Sequence, residues 1–382
     1  MRVIIFPMGA PDNRGPASKS ENNKRNVLLQ TLHRKGGASR LHLARELGIS
    51  NSRVCDLIEE MIGEGLLLEE LVSGDRRGRR GVVVSLNPNF GQLIGFDMEA
   101  KRFRIVVTDF AGEILWQHRQ ALKPPRSRQK LIDEISGFID QSMLEIRQRF
   151  TKPIAIGIAA SGVIDHKRGQ ILHYDMLPYA VDIPLRDMIA SQVQLPCVME
   201  NNIRAMTLAE WVNGAGKGMH TFICVAVRSG VGAGLIINGR LRAGKHGLCG
   251  EVGYMVLPSS EDSCKWLNLQ QTISESALEI DIETDRWLLS EQNARRCGEL
   301  LGSQLASMAA LIDPEAMVLA GEMLQPAGPM WPHVVRTFSE HALAELAQHV
   351  RILPAQLGPF AAALGVAHRA LYEIFPMAMV PA

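Results

Sequence analysis

Three stretches of this 382-residue chain carry residue types and spacings suited to binding polyanions or phosphate groups. The first is Asn51, Ser52, Arg53 and Asp56, four polar positions on one side of a segment whose other side is apolar. An asparagine carboxamide can pair bidentately with adenine and an arginine guanidinium with guanine. The second is the basic, glycine-rich stretch from Ser73 to Gly81, with Arg76, Arg77, Arg79 and Arg80. Four arginines on one tip attract phosphates and can enter a narrow minor groove. The third is Arg228-Ser229-Gly230-Val231-Gly232-Ala233-Gly234, where glycines let backbone N–H groups approach a phosphate.

The elements that position the first two are legible. Residues 1–22, rich in Pro, Gly, Ser and Asn, read as a flexible arm. A helix follows from Lys24, with Val27, Leu28 and Leu32 on one face, and stops at Lys35-Gly36-Gly37. Ser39 can cap a second helix that turns Leu41, Ala44 and Leu47 inward. Gly48 supplies a left-handed turn, Ile49 plugs the core and Ser50 caps a third helix. Val54, Leu57, Ile58, Met61 and Ile62 then repeat at i, i+3, i+4, i+7 and i+8. This is the helix-turn-helix layout, and Asn51, Ser52 and Arg53 fall at the start of the recognition helix, where base edges are read. Arg40, at the start of the second helix, joins the DNA-contacting set. Leu66–Leu71 and Val82–Leu86 read as two strands that make the arginine loop a wing. A polar helix start and a basic loop are also what a solvated surface looks like. The loop's place directly after three helices favours DNA.

Net charge agrees with a division of labour. Residues 1–90 sum to +4 and the remainder to −3, although the whole chain is only +1. Hydrophobic residues make up 46% and charged residues 21%, which excludes a wholly disordered or collagen-like chain. No stretch reaches the roughly 20 apolar residues of a membrane span, and the N-terminus lacks a signal-peptide pattern. Cys55, Cys197, Cys224, Cys249, Cys264 and Cys297 are scattered without a C-x-x-C pair and read as free thiols. The expected setting is cytoplasmic.

After Asn87-Pro88-Asn89 two stretches share a layout. In one, strands at Gln92–Phe96, Arg104–Thr108 and Glu113–His118 surround turns at Asp97–Lys101 and Phe110–Gly112. In the other, Thr221–Val227, Leu235–Asn238 and Arg240–Ala243 surround the glycine run and the Asn238-Gly239 hairpin signal. Helical stretches near 127–150 and 292–312 follow. A duplicated α/β fold of two lobes with a cleft is expected, the first turn of each lobe facing the cleft.

From about residue 23 onward the chain resembles the ROK family of repressors and sugar kinases, and specifically its repressor branch. The resemblance rests on Ala38–Leu68 for the helix-turn-helix and on Ala160–Asp165 against P-G-x-V-D. It continues with Glu200-Asn201-Asn202 against E-N-D, Gly230–Gly234 against G-V-G-G-G, and Gly250–Tyr254 against G-E-x-G-H. Asp313-Pro314 and Gly321 stand where the family has a late D-P and a glycine pair near the adenosine site. It implies an α/β chain in which a winged helix-turn-helix (23–89) precedes a two-lobed actin/hexokinase-like, ribonuclease H-like ATPase domain. Lobe 1 would be 90–199 with 365–382, and lobe 2, for effector binding and oligomerisation, 200–364.

Departures from the family pattern set the functional expectation. Where the kinases have D-x-G-G-T, this chain has Asp97-Met98-Glu99-Ala100-Lys101; both glycines are gone, and Glu99 would repel a phosphate. The family's catalytic aspartate is replaced by Asn202, whose carboxamide cannot serve as a general base. No catalytic residue, kinase activity or cofactor is therefore expected. The family's zinc site would need a histidine where Tyr254 stands and three cysteines where only Cys264 occurs, so no zinc is expected. The resemblance still implies a sugar site made by Gly162, Asn201, Asn202, Glu251 and Tyr254, the tyrosine hydrogen-bonding or stacking on the ring. Arg204 either reaches an acidic group of the ligand or fills a structural ion pair.

The expected function is a DNA-binding regulator, a repressor of carbohydrate-metabolism genes. It would be a homodimer or homotetramer on a double-stranded operator, controlled by a sugar or sugar-derivative effector in the cleft. The alternatives are an active ATP-dependent sugar kinase with an attached DNA-binding domain, and a repressor read by a partner protein.

Overall fold

The computed structural model describes residues 16–72, 81–123, 125–258, 266–274, 278, 280–281, 286–287 and 289–374. The chain divides into two compact units, one ending at Leu86 and one spanning Asn87–Ile374. No helix among the described residues is long and apolar enough to cross a membrane.

The first unit has helices α1 (Pro16–Lys35), α2 (Arg40–Leu47) and α3 (Asn51–Gly63), then the antiparallel strands β1 (Leu67–Val72) and β2 (Gly81–Leu86). Helix α1 begins inside the stretch expected to be an arm. Proline suits a first helical turn, where its missing N–H has no partner to lose, and no residue from Ala17 to Asn23 breaks the helix. The caps fall where expected. Ser39 Oγ accepts the His42 N–H and Ser50 Oγ the Arg53 N–H, each at 3.3 Å, and Gly48 has φ +63°. Leu28, Leu32, Leu43, Ile58, Met61, Leu66 and Val84 form the core. Leu41, expected inside, is 49% exposed; Leu43 takes its place. The two lie about 160° apart around a helix of 3.6 residues per turn, so they cannot both face inward. Val27 is likewise exposed and Leu29 buried, while Leu47, Ile49 and Ile62 are half-buried. Ala38 adds a bridge to the hairpin, exchanging both backbone hydrogen bonds with Val84 at 2.9–3.0 Å.

The second unit opens with β3 (Gln92–Met98), β4 (Arg102–Thr108), β5 (Ile114–Ala121), α4 (Arg128–Arg149) and β6 (Pro153–Ala160). The small hairpin β7 (Val163–Asp165) and β8 (Gln170–His173), α5 (Leu185–Val193), β9 (Cys197–Asn201) and α6 (Asn202–Asn213) follow. Then come β10 (Phe222–Val227), β11 (Val231–Ile236), β12 (Leu241–Arg242), the pair β13 (Val256–Pro258) and β14 (Trp266–Asn268), and α7 (Leu269–Ile273). The chain continues with the short pair β15 (Ile280–Asp281) and β16 (Arg286–Trp287), then α8 (Glu291–Ile312) and β17 (Ala316–Ala320). It ends in α9 (Trp331–His341), α10 (Ala344–His349), β18 (Arg351–Pro354) and α11 (Ala361–Ile374).

Two five-stranded sheets result, ordered β5-β4-β3-β6-β9 and β12-β11-β10-β17-β18. In each, the first three strands in sequence are antiparallel neighbours and the next two add in parallel; β12 pairs with β11 in the same sense. The duplication seen in the sequence is thus a duplication of topology. The first sheet packs Ile94, Phe96, Ile105, Ile156 and Ile158 on Phe138, Ile139 and Ile146 of α4. The second packs Ile223, Val225, Met317 and Leu319 on Leu301 and Leu305 of α8 and Val334 and Phe338 of α9.

Helices α6 and α11 join the lobes by close backbone approach. A Cβ on Gly365 of α11 would lie 1.7 Å from the Ala205 carbonyl of α6. On Gly95 and Gly157 of the first sheet it would lie 1.8 and 2.2 Å from carbonyls of α11. On Gly234 it would lie 1.9 Å from Thr207 Oγ1 of α6. This corrects the reading of Arg228–Gly234 as one phosphate-binding turn. Only Arg228-Ser229-Gly230 turns; Gly232 and Gly234 sit inside β11 because α6 packs on that strand.

These contacts predict opposite outcomes for two Gly→Ala changes. Gly365→Ala should destabilise the second unit by about 1–3 kcal/mol through overpacking. Gly137→Ala, on an exposed part of α4 with nothing near its Cβ, should stabilise by about 0.5–1 kcal/mol. Denaturant unfolding of the two variants checks both signs.

Candidate functional site

At the start of α3, Asn51, Ser52, Arg53 and Asp56 are all exposed, beyond the Ser50 cap. Arg45 of α2, which sequence reading passed over, is exposed and lines the same shallow groove as Ser50 and Asn51. Its signal was its place three residues before Gly48. Arg40 differs from expectation. Its Nε donates to Glu69 at 2.6 Å and an Nη to Glu59 at 3.3 Å, so its guanidinium braces α2 against α3 and β1. Arg76, Arg77, Arg79 and Arg80 lie outside the described residues.

In the second unit a cavity opens between the lobes, lined among others by Gly162, Asn201, Asn202, Glu251 and Tyr254. The expected sugar residues therefore come together, but they are not equally available. Asn201 is the N-cap of α6: Oδ1 accepts the N–H groups of Ile203 and Arg204 at 2.9 and 3.1 Å, and Nδ2 donates to the Gly162 carbonyl at 3.0 Å. Its oxygen and one of its two Nδ2 hydrogens are committed to the fold, as is that carbonyl. Gly162 itself has φ +90°, and a Cβ there would lie 2.2 Å from the His173 carbonyl. Asn202 donates Nδ2 to Ser161 Oγ at 2.8 Å, and its Oδ1 has no partner among the described residues. The half-buried Glu251 carboxylate likewise has no hydrogen-bond partner among them. Burial pushes its carboxyl up, against the opposing pull of Arg204 and His173.

Tyr254 sits at the rim, where two residues missed in the sequence hold it. Its hydroxyl donates to Asp175 at 3.1 Å and lies 3.2 Å from His173 Nε2, which itself lies 2.8 Å from Asp175. Burial and Asp175 push the phenol up to about 12. No sequence pattern pairs these residues, which are 79 and 81 positions apart. Arg204 takes the structural alternative: it is 2% exposed, pairs with Glu200 at 2.8 Å and donates to the Gly247 carbonyl at 2.6 Å. Burial alone would raise the Glu200 carboxyl, but Arg204, Arg369 and His166 bring it below its ordinary value.

The deep end of the cleft carries a buried ion cluster. Asp97 and Glu99 leave the end of β3, Arg104 comes from β4, and Arg228 follows β10 of the other lobe. Arg104 reaches Asp97 at 3.1 Å and Glu99 at 2.5 Å. Arg228 reaches the same carboxylates at 2.9 and 2.7 Å. None of the four is more than 6% exposed. Burial opposes ionisation of Glu99, but the two guanidinium groups bring its carboxyl down to about 2. Asp97 shifts the other way: burial and the neighbouring Glu99 raise it against the pull of Arg228 and Arg104, and its Oδ1 has no hydrogen-bond partner among the described residues. Glu99, expected from the sequence to repel a phosphate, is engaged by Arg104 and Arg228 and with them fills the turn. Ser229 and Tyr174 extend the cluster, Tyr174 accepting the Ala100 N–H at 3.1 Å and lying 3.2 Å from Ser229.

In the second glycine turn one N–H already has a side-chain partner. Gln270 Oε1 accepts the Val231 N–H at 3.3 Å and sits 2.8 Å from where a Cβ of Gly230 would be. Among the described residues no group of His, Cys, Asp and Glu is arranged to hold a metal. Cys264 lies outside them; the other five cysteines are free thiols.

Residues 93–372 match the ROK family, and the chain belongs to it. The putative xylose repressor of Caldicellulosiruptor sp. (strain Rt8B.4) is 29% identical over 256 residues, 66% of this chain; the match spans 64% of that relative's length. The xylose repressor of Bacillus subtilis (strain 168) is 27% identical over 370 residues, covering 91% of this chain and 94% of that one. The Escherichia coli (strain K12) DNA-binding transcriptional dual regulator NagC is 24% identical over 364 residues, 87% and 88% of the two chains. Among solved structures, a ROK family transcriptional regulator described as a homolog of the E. coli MLC protein superposes with a TM-score of 0.74. It is 20% identical and covers 92% of this chain and 97% of its own. A ROK family glucokinase from Streptomyces griseus, in complex with glucose and AMPPNP, gives a TM-score of 0.60 at 24% identity, over 73% and 99% of the chains. Both structures show that the fold is shared.

The ion cluster predicts a specific double response. Arg228→Met should cost about 3–5 kcal/mol, because it leaves two buried carboxylates short of countercharge. Adding Asp97→Asn should recover much of that loss, because Arg104 and Glu99 then remain as a balanced buried pair. Urea unfolding at neutral pH of the single and double variants measures it.

Proposed function

We propose that this ROK-family chain is a DNA-binding transcriptional regulator that represses carbohydrate-metabolism genes and is released by a sugar in the cleft of its second unit. The observation that carries the reading is the contrast between the two ends of that cleft. At the sugar end, Glu251 and Asn202 Oδ1 offer vicinal hydroxyls acceptors that have no partner among the described residues. At the deep end, the Asp97–Glu99–Arg104–Arg228 cluster and Gln270 fill the turns a nucleotide's phosphates would need. Asn202 also gives no base for proton removal from a sugar hydroxyl. A body that can hold a sugar but lacks the means to phosphorylate it is suited to sensing.

The DNA end of the proposal is supported by the capped helix-turn-helix and the exposed polar start of α3. A relative named as a xylose repressor and one named as a DNA-binding transcriptional dual regulator, both matching over most of this chain, support the same direction. The protein would act in the cytoplasm as a homodimer or homotetramer, because two half-sites on DNA require two-fold symmetry. Sugar binding would act through its different affinity for the DNA-bound and released states.

The experiment is binding-site selection from random duplexes followed by gel-shift titration on the recovered site. Arg53→Ala should cost about 1–3 kcal/mol on that site and relax preference at one position. Arg79→Ala with Arg80→Ala should weaken all sequences alike and lower the salt slope by about 1 per lost phosphate contact. If neither variant changes binding, the assignment of these two surfaces fails. Phosphorylation of any sugar from ATP, lost on changing Asn202, would instead establish the kinase reading.

A further inference from the structure

We infer that the cleft selects an uncharged sugar and excludes sugar phosphates and sugar acids, with Asp175 and Glu251 as the residues that set this selectivity. The inference rests on the sugar-sensing role proposed for the same cleft.

A protein holds an anion with an uncommitted cation, with backbone N–H groups in a glycine turn, or with a helix N-terminus. All three devices are present around this cavity, and each already has protein partners. The cation is Arg228, which faces two carboxylates of the other lobe at 2.9 and 2.7 Å. Arg204, behind the wall, is paired with Glu200 and capped on the Gly247 carbonyl. The glycine turn has Gln270 Oε1 on the Val231 N–H. The N-terminus of α6 points at the cavity, but Asn201 Oδ1 already accepts its Ile203 and Arg204 N–H groups, and Glu200 accepts the Asn201 N–H at 2.7 Å.

The carboxylates left on the lining are Asp175 and Glu251. Asp175 accepts from the Tyr254 hydroxyl, a donor that leaves its charge in place, and lies 2.8 Å from His173 Nε2. Glu251 has no hydrogen-bond partner among the described residues and stands on the opposite lobe. A phosphate or carboxylate bound between them would meet like charge from both sides, without water to screen it fully. Hydroxyl groups suit the same lining, because each can donate to an unpartnered carboxylate or carboxamide oxygen.

The test uses the full chain and paired ligands in isothermal titration at low ionic strength: D-xylose with D-xylonate, D-glucose with D-glucose 6-phosphate, and N-acetyl-D-glucosamine with its 6-phosphate. The neutral member of at least one pair should bind, and its anionic counterpart at least 100-fold more weakly. Asp175→Asn should narrow that ratio at least severalfold, a readout that loss of packing at the rim would not move. An anionic member binding as tightly as its neutral partner, or more tightly, overturns the inference and leaves the sugar sensor standing. An unchanged ratio in Asp175→Asn overturns the role of that residue. Binding by none of the six, with DNA binding intact, removes the sugar-sensing reading itself.

Discussion

Two carboxylates and two guanidinium groups, almost wholly out of water, meet where the two lobes of the second unit come together. Three of the four belong to one lobe, and Arg228 is the contribution of the other. Such a cluster adds little net stability, because desolvation offsets most of the attraction. What it contributes is specificity of arrangement. With one partner missing, the remaining buried charges are uncompensated, so any lobe geometry that separates Arg228 from Asp97 and Glu99 is strongly disfavoured. The cluster also sets the depth of the cleft, because Arg228, Ser229 and Tyr174 line the cavity from the same network.

The rest of the site follows from where the backbones can approach. The α6–α11 crossing is close because Gly365 has no side chain, and the sheets close on these helices through Gly95, Gly157 and Gly234. Helix α6 is therefore fixed on two sides, and its first turn is fixed by Asn201. Glu210 anchors the other end of α6, accepting the N–H groups of Ala215, Gln356 and Leu357 at 2.8–3.0 Å. Asn202 is consequently presented to the cavity by an element with little freedom to move, a requirement for any site that discriminates between similar polyols.

How much of this was legible in the sequence depended on range. Ser39, Gly48 and Ser50 act on neighbours within a few residues, and their caps could be read directly. The duplicated strand order could be read because each lobe repeats the same apolar pattern. The loss of the kinase turn at Asp97–Lys101 was visible, yet its consequence was not. Arg228 lies 131 residues from Asp97, and nothing local distinguishes it from a surface arginine. The same limit hid the Tyr254–Asp175–His173 contact. Two positions carry a second use for a different reason. Gly232 and Gly234 looked like a phosphate loop but sit in a strand, and Asn201, expected as a ligand contact, also caps a helix, because glycine and asparagine serve packing and capping as readily as binding. Only the partner on the other side, Thr207 for Gly234 and the α6 N–H groups for Asn201, decides between these uses.

The two sets of bonds between the lobes divide the cleft by kind. The deep set is ionic and buried, and a sugar offers no group that could replace a guanidinium between two carboxylates. The rim set is a phenol hydroxyl shared with a half-exposed aspartate and histidine. A sugar hydroxyl is chemically equivalent to that phenol as a donor, and solvent already competes for both partners. In the proposed sensor a ligand therefore exchanges bonds at the rim at small cost while the deep cluster stays closed. Movement would then be a rotation about the buried end, not a separation of the lobes. In the proposed sensor no nucleotide need enter at the end held by the ion cluster. The cluster would then supply the fixed point about which the remaining binding event acts.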